Sequence, residues 1–117
     1  SIVQDTREGR IECEITEGRS WIYRSLKGVP PAPAVASARL NVSLSQDRIH
    51  ALDDLMLKGI IKGRYKFAPA SSPGSKRHDA VIFYFYEKPD LRAKEKLARF
   101  VTENFRGKGS EDHNLAG

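Results

Sequence analysis

The sequence holds a single cysteine, Cys13, among 117 residues. No internal disulfide can form, and a thiol buried on a strand is the expectation for it. Long hydrophobic runs are also missing: the longest, "AVIFYF", is strand-sized and far short of the roughly 18 apolar residues of a spanning helix. His50, His78 and His113 stand far apart, with no second ligand at the short spacings that build zinc sites, so no metal and no cofactor is expected. "SSPGSKR" and "GSEDHNLAG" have too few correctly spaced glycines for a Walker loop or a dinucleotide fingerprint, and no serine sits on a G-x-S-x-G elbow. The opening "SIVQDTREGR" has neither an initiator Met nor the layout of a signal peptide, which suggests a removed leader or an excised piece of a longer protein.

What is present is charge and strand-like alternation. A net charge of +5 favours acidic or phosphorylated partners. The basic residues are spread along the chain among acidic neighbours, so nucleic acid is not the expected partner. Residues 1–9 read as a loose lead-in, 10–106 as a single domain with a Pro-rich connection at 28–37, and 107–117 as an irregular tail. "RIECEIT" alternates Ile11, Cys13 and Ile15 against charged residues, and "WIYRSL" offers a hairpin partner. The prolines of "KGVPPAPAVAS" exclude a central strand or a helix there.

"ARLNVSL" alternates again. Ser45 is placed to cap the helix "QDRIHALDDLMLKG", with Ile49, Leu52, Leu55 and Met56 on its apolar face. His50, Asp53 and Asp54 read as exposed helix residues. "IIKGRYKFAP" returns to strand, with Tyr65 and Phe67 opposite Lys66. "HDAVIFYFYE" is apolar on both faces, as the middle of a sheet requires. A second helix opens at Pro89 and Asp90, with Ala93, Leu97, Val101 and Phe105 at four-residue spacing beside Phe100, and Gly107 as its stop. The order implies an α+β fold: a small, mostly antiparallel sheet with two helices packed on one face.

Pleating then assigns Arg39, Asn41, Ser43 and Lys66 to the helix-free face. Two cations with two hydrogen-bonding groups, expected on neighbouring strands, are suited to cradling a phosphate dianion, and Lys76 and Arg77 add positive charge at the next strand entrance. The competing reading is that any half-solvated strand carries such a polar row. Tyr84 and Tyr86, on the outer side of the apolar strand, are candidates for a partner-binding groove or for cover by another part of a longer chain, and Trp21 and Tyr23 invite the same comment. His78 and Asp79 are adjacent and point to opposite faces of a strand.

The run "ARLNVSL", the helix after it, "GRYKFAP" and "SKRHDAVIFYFYEKPD" together resemble the HopA family of type III secretion effectors from plant-pathogenic bacteria. The resemblance spans residues 37–106, and the Arg-His-Asp-Ala-Val stretch is its sharpest element. It implies a secreted virulence protein, delivered by type III secretion into the host cytoplasm, that acts on host immunity. Its implied partner is a host protein, a phosphorylated kinase or an immune regulator, with a secretion chaperone for an upstream region. The family's fold in turn resembles that of phosphothreonine lyases, which remove phosphate by β-elimination. On that comparison Lys66 matches the base that takes the α proton, and Arg77 a phosphate-binding arginine.

Where the lyases carry a Lys-x-His pair whose histidine is the general acid, this chain has Arg39-Leu40-Asn41. Asparagine has no titratable proton, so it can orient phosphate and cannot protonate a leaving group. The resemblance therefore implies either lyase-like chemistry on a phosphate-binding site of Lys66, Arg77, Arg39 and Asn41, or a non-enzymatic domain that recruits a host regulator. A third reading is a structural subdomain of a longer effector.

Overall fold

The computed structural model describes residues 4–42, 44–68 and 80–103. Ser43, Lys76, Arg77, His78, Asp79, Phe105, Gly107 and His113 lie outside them. Five strands, β1 (Ile11–Ile15), β2 (Ile22–Leu26), β3 (Ala36–Asn41), β4 (Gly63–Phe67) and β5 (Ala80–Phe85), form one sheet in the order β1-β2-β4-β5-β3. Every neighbouring pair is antiparallel. Two helices, α1 (Gln46–Leu57) and α2 (Leu91–Glu103), cover one face. The α+β layout with two helices on one side of a small antiparallel sheet agrees with the sequence reading.

Local signals explain the elements. On β1, Ile11 is buried while Glu12 and Glu14 are exposed, the alternation of a strand with one wet face. The Ser45 side chain accepts a hydrogen bond from Arg48 N at 3.3 Å, and Asp90 Oδ1 accepts from Ala93 N at 2.8 Å, so each helix start has a side-chain oxygen for an otherwise orphaned donor. Helix α1 stops where Gly59 takes φ 72°, a conformation that side chains with a Cβ disfavour. Gly63 is required for a different reason. A Cβ there would run into the Tyr84 carbonyl oxygen of β5.

The core lies between sheet and helices. Tyr65, Phe67, Phe83 and Phe85 are at most 1% exposed, and Tyr65 and Phe83 lie 5.0 Å apart between ring centroids. Ile49, Leu52 and Met56 from α1 and Ala93, Leu97, Phe100 and Val101 from α2 close over them.

The core also holds an ion pair that corrects the sequence reading of Asp53. Arg24 of β2 and Asp53 of α1 are both 0% exposed. Their contact is two-pronged, Nε to Oδ1 at 3.0 Å and Nη2 to Oδ2 at 2.7 Å. The Tyr65 hydroxyl donates to Asp53 Oδ1 at 2.6 Å and to the Ile49 carbonyl at 3.2 Å. Burial pulls the Arg24 pKa down, but the hydrogen bond to Asp53 and the nearby Tyr65 and Asp53 charges outweigh it and hold it above its ordinary value. For Tyr65 burial and Asp53 act together, pushing the phenol well above 10.0.

The same cluster holds residues 5–7, part of the stretch read from the sequence as a loose lead-in. Arg24 Nη2 donates to the Asp5 carbonyl at 2.6 Å. Arg7 donates to the His50 carbonyl and to Asp54 Oδ1, each at 3.0 Å. Residues 5–7 are thereby strapped to α1, and Asp54 and His50, expected to be plain surface, are the strap's anchor points. Among the described residues no helix covers the outer face of the sheet.

Candidate ligand-binding face

The register shows which side chains share that outer face. Arg39 is opposite Ile82, and Ile82 is opposite Lys66. The row continues through Tyr23 to Glu14. A second row runs Ser37, Tyr84, Arg64, Ser25 and Glu12. Partners in register project to the same side of a sheet, so Arg39 and Lys66 do occupy one helix-free face, with Asn41 two residues along β3.

They do not form a single cradle on neighbouring strands, as the sequence order suggests. The chain leaves β3, crosses through α1 and enters β4 two positions away, and β5 later fills the gap. Arg39 and Lys66 are therefore two strand spacings apart, about 10 Å between Cα atoms, with Ile82 between them. Lys66 moreover leans the other way. Its Nζ lies 4.2 Å from the Trp21 ring centroid, 5.3 Å from that of Tyr84 and 5.8 Å from that of Tyr23, each within cation–π range.

This surrounding sets the lysine's protonation. Burial lowers the Lys66 pKa, but hydrogen bonding to Tyr84 and the partial charges of Tyr84 and Tyr23 more than offset it, leaving it raised. A general base near neutral pH requires the opposite shift. Lys66 is thus an ammonium ion held in place, suited to binding an anion and not to taking up a proton.

Arg64, two residues earlier on β4, is the cation that the sequence reading passed over. Its guanidinium carbon lies 5.3 Å from the Tyr84 ring centroid and 5.5 Å from that of Tyr86. Nη1 donates to the Ala32 carbonyl at 3.1 Å and to the Tyr86 hydroxyl at 3.3 Å. The Pro-rich connection, fixed at its far end by Val35 N donating to the Phe85 carbonyl at 2.8 Å, thereby supplies the acceptor that orients Arg64. The signal was present in "GRYKF": with Tyr65 inward, both Arg64 and Lys66 must face out. Tyr84 and Tyr86, read as partner-binding, turn out to flank these cations.

Beside Arg64 lies an open groove of about 650 Å³. Tyr23, Ser25, Glu12, Glu14, Arg64 and Tyr86 line much of it. Among the described residues no carboxylate pairs with Arg39, Arg64 or Lys66. Nor do the described residues contain a group of three His, Cys, Asp or Glu able to hold a metal ion, or a helix long and apolar enough to cross a membrane. The chain matches no family model, no curated protein and no solved structure.

Proposed function

We propose that the helix-free sheet face binds a phosphorylated segment of a protein partner, with Lys66 and Arg64 as the principal phosphate contacts and Arg39 and Asn41 as an outlying pair. On the HopA resemblance, the chain is part of a secreted virulence effector and the partner a host kinase or immune regulator. The observation that carries this reading is the pairing of each central cation with aromatic rings: Lys66 with Trp21, Tyr23 and Tyr84, and Arg64 with Tyr84 and Tyr86. Such cations are positioned before a ligand arrives, so less side-chain entropy is lost on binding. Arginine adds a planar fork matched to phosphate oxygens, and lysine a compact charge.

Binding fits the residues better than elimination does. β-Elimination needs a base for the α proton, and the surroundings of Lys66 hold its proton on. Asn41 has none to give to the leaving group.

Titration of the chain with a phosphothreonine peptide and its unphosphorylated twin tests the proposal. Only the phosphorylated form should bind. Lys66→Ala and Arg64→Ala should each weaken it about tenfold, the scale of one lost charge-assisted hydrogen bond. The mass of the peptide should be unchanged after incubation; loss of phosphoric acid would establish the lyase reading instead. Equal affinity for both peptides, or tighter binding of a single-stranded oligonucleotide, would overturn the proposal.

A further inference from the structure

The outer face is divided by charge. Glu12 and Glu14 of β1 are exposed and lie in register with Ser25 and Tyr23, which lie in register with Arg64 and Lys66. Each carboxylate therefore stands two strand spacings from a cation, about 10 Å between Cα atoms. Among the described residues neither glutamate makes an ion pair. The separation is maintained because Lys66 is held by aromatic rings and Arg64 by the Ala32 carbonyl.

The groove of about 650 Å³ spans the interval from Glu12 and Glu14 to Arg64, with Tyr23 and Ser25 between and Lys27 as its second cation; Lys66 stands just outside its lining. A ligand negative along its whole length would meet repulsion at the β1 edge. One with a phosphate and a cation about 10 Å apart would satisfy both sides. A peptide in the polyproline II conformation has that spacing: it rises about 3.1 Å per residue with three residues per turn, so side chains three apart emerge on one side about 9 Å from each other.

We propose, on the phosphopeptide reading of this face, that Glu12 and Glu14 select phosphorylated segments bearing Lys or Arg three residues from the phosphorylated residue. Glu14, in the register row of Lys66, is the principal acceptor. Glu12, in the row of Arg64, supplements it.

Fluorescence anisotropy with the full chain and a set of phosphothreonine peptides tests this. The peptides carry Arg, Ala or Glu at the third position before or after the phosphothreonine. In one of the two positions, Arg should bind about fivefold more tightly than Ala, the scale of a pair of partly exposed ion pairs, and Glu more weakly than Ala. In the variant with both Glu12→Gln and Glu14→Gln, the Arg-over-Ala preference should fall to within about twofold and the Glu peptide should bind about as well as the Ala peptide. Phosphopeptide binding with no Arg preference, or a preference that survives the double substitution, overturns this inference alone. Failure of every phosphopeptide to bind removes the parent reading and this one with it.

Discussion

Replacing Asp53 by Ala removes one partner of a fully enclosed ion pair, and the surrounding contacts set the cost. Arg24 would keep its charge while losing both bonds to Asp53, from Nε and from Nη2, and retaining the one from Nη2 to the Asp5 carbonyl. Tyr65 would keep the longer of its two hydrogen bonds, to Ile49. Breaking a buried pair in this way costs about 3–5 kcal/mol, a large share of the roughly 5–15 kcal/mol that holds a typical domain together. Urea unfolding followed by circular dichroism should show that loss, and thermal melting a midpoint lower by roughly 15 °C. The double variant Arg24→Met/Asp53→Leu should recover most of it, since two apolar side chains of similar volume leave no charge stranded. A loss below about 1 kcal/mol in the single variant, or a double variant no better than the single, would show that Arg24 reaches water and would refute the argument.

Gly63→Ala should destabilise the fold by about 1–3 kcal/mol, the cost of overpacking, because the new methyl would press on the Tyr84 carbonyl oxygen and backbone cannot rotate aside; an unchanged urea midpoint would exclude that close approach. Alkaline pH supplies a further test. The unfolded chain releases the Tyr65 proton from about pH 10, whereas the folded chain retains it, so the unfolded state binds fewer protons and stability falls as pH rises past 10. The raised pKa of Lys66 acts in the same direction. Tyr65→Phe should flatten the decline in urea midpoint between pH 9 and 11, and an equally steep decline in that variant would reject Tyr65 as its source.

The elements were legible because strand and helix periods differ, and "RIECEIT" and "GRYKF" alternate cleanly. The outward placement of Lys66 and Arg39 followed from the same parity. Their separation did not, because nothing local in β3 or β4 specifies that β5 enters between them. The buried pair was concealed differently. Asp53 precedes another aspartate and resembles a wet helix face, yet it lies four residues after Ile49 and three before Met56, on the apolar stripe. Arg24 shares the parity of Ile22. Opposite charges each placed on an inward face form a signal that appears only when two distant segments are compared. The aromatic surroundings of Lys66 were equally non-local, since Tyr23 and Tyr84 come from two other strands and Trp21 from the residue just before β2.

The insertion of β5 between β3 and β4 also dictates when the molecule can be finished. A nascent chain that has emerged only as far as α1 can close the β1–β2 hairpin, but β5, the neighbour of β3 among the described residues, has not yet been made. Translation must proceed through Phe85 before that edge is joined, so the last strand made is the one that unites the two halves. Assembly is therefore governed by contacts distant in sequence, which form slowly, and a product truncated before residue 80 would lack the strand that joins β3 to β4.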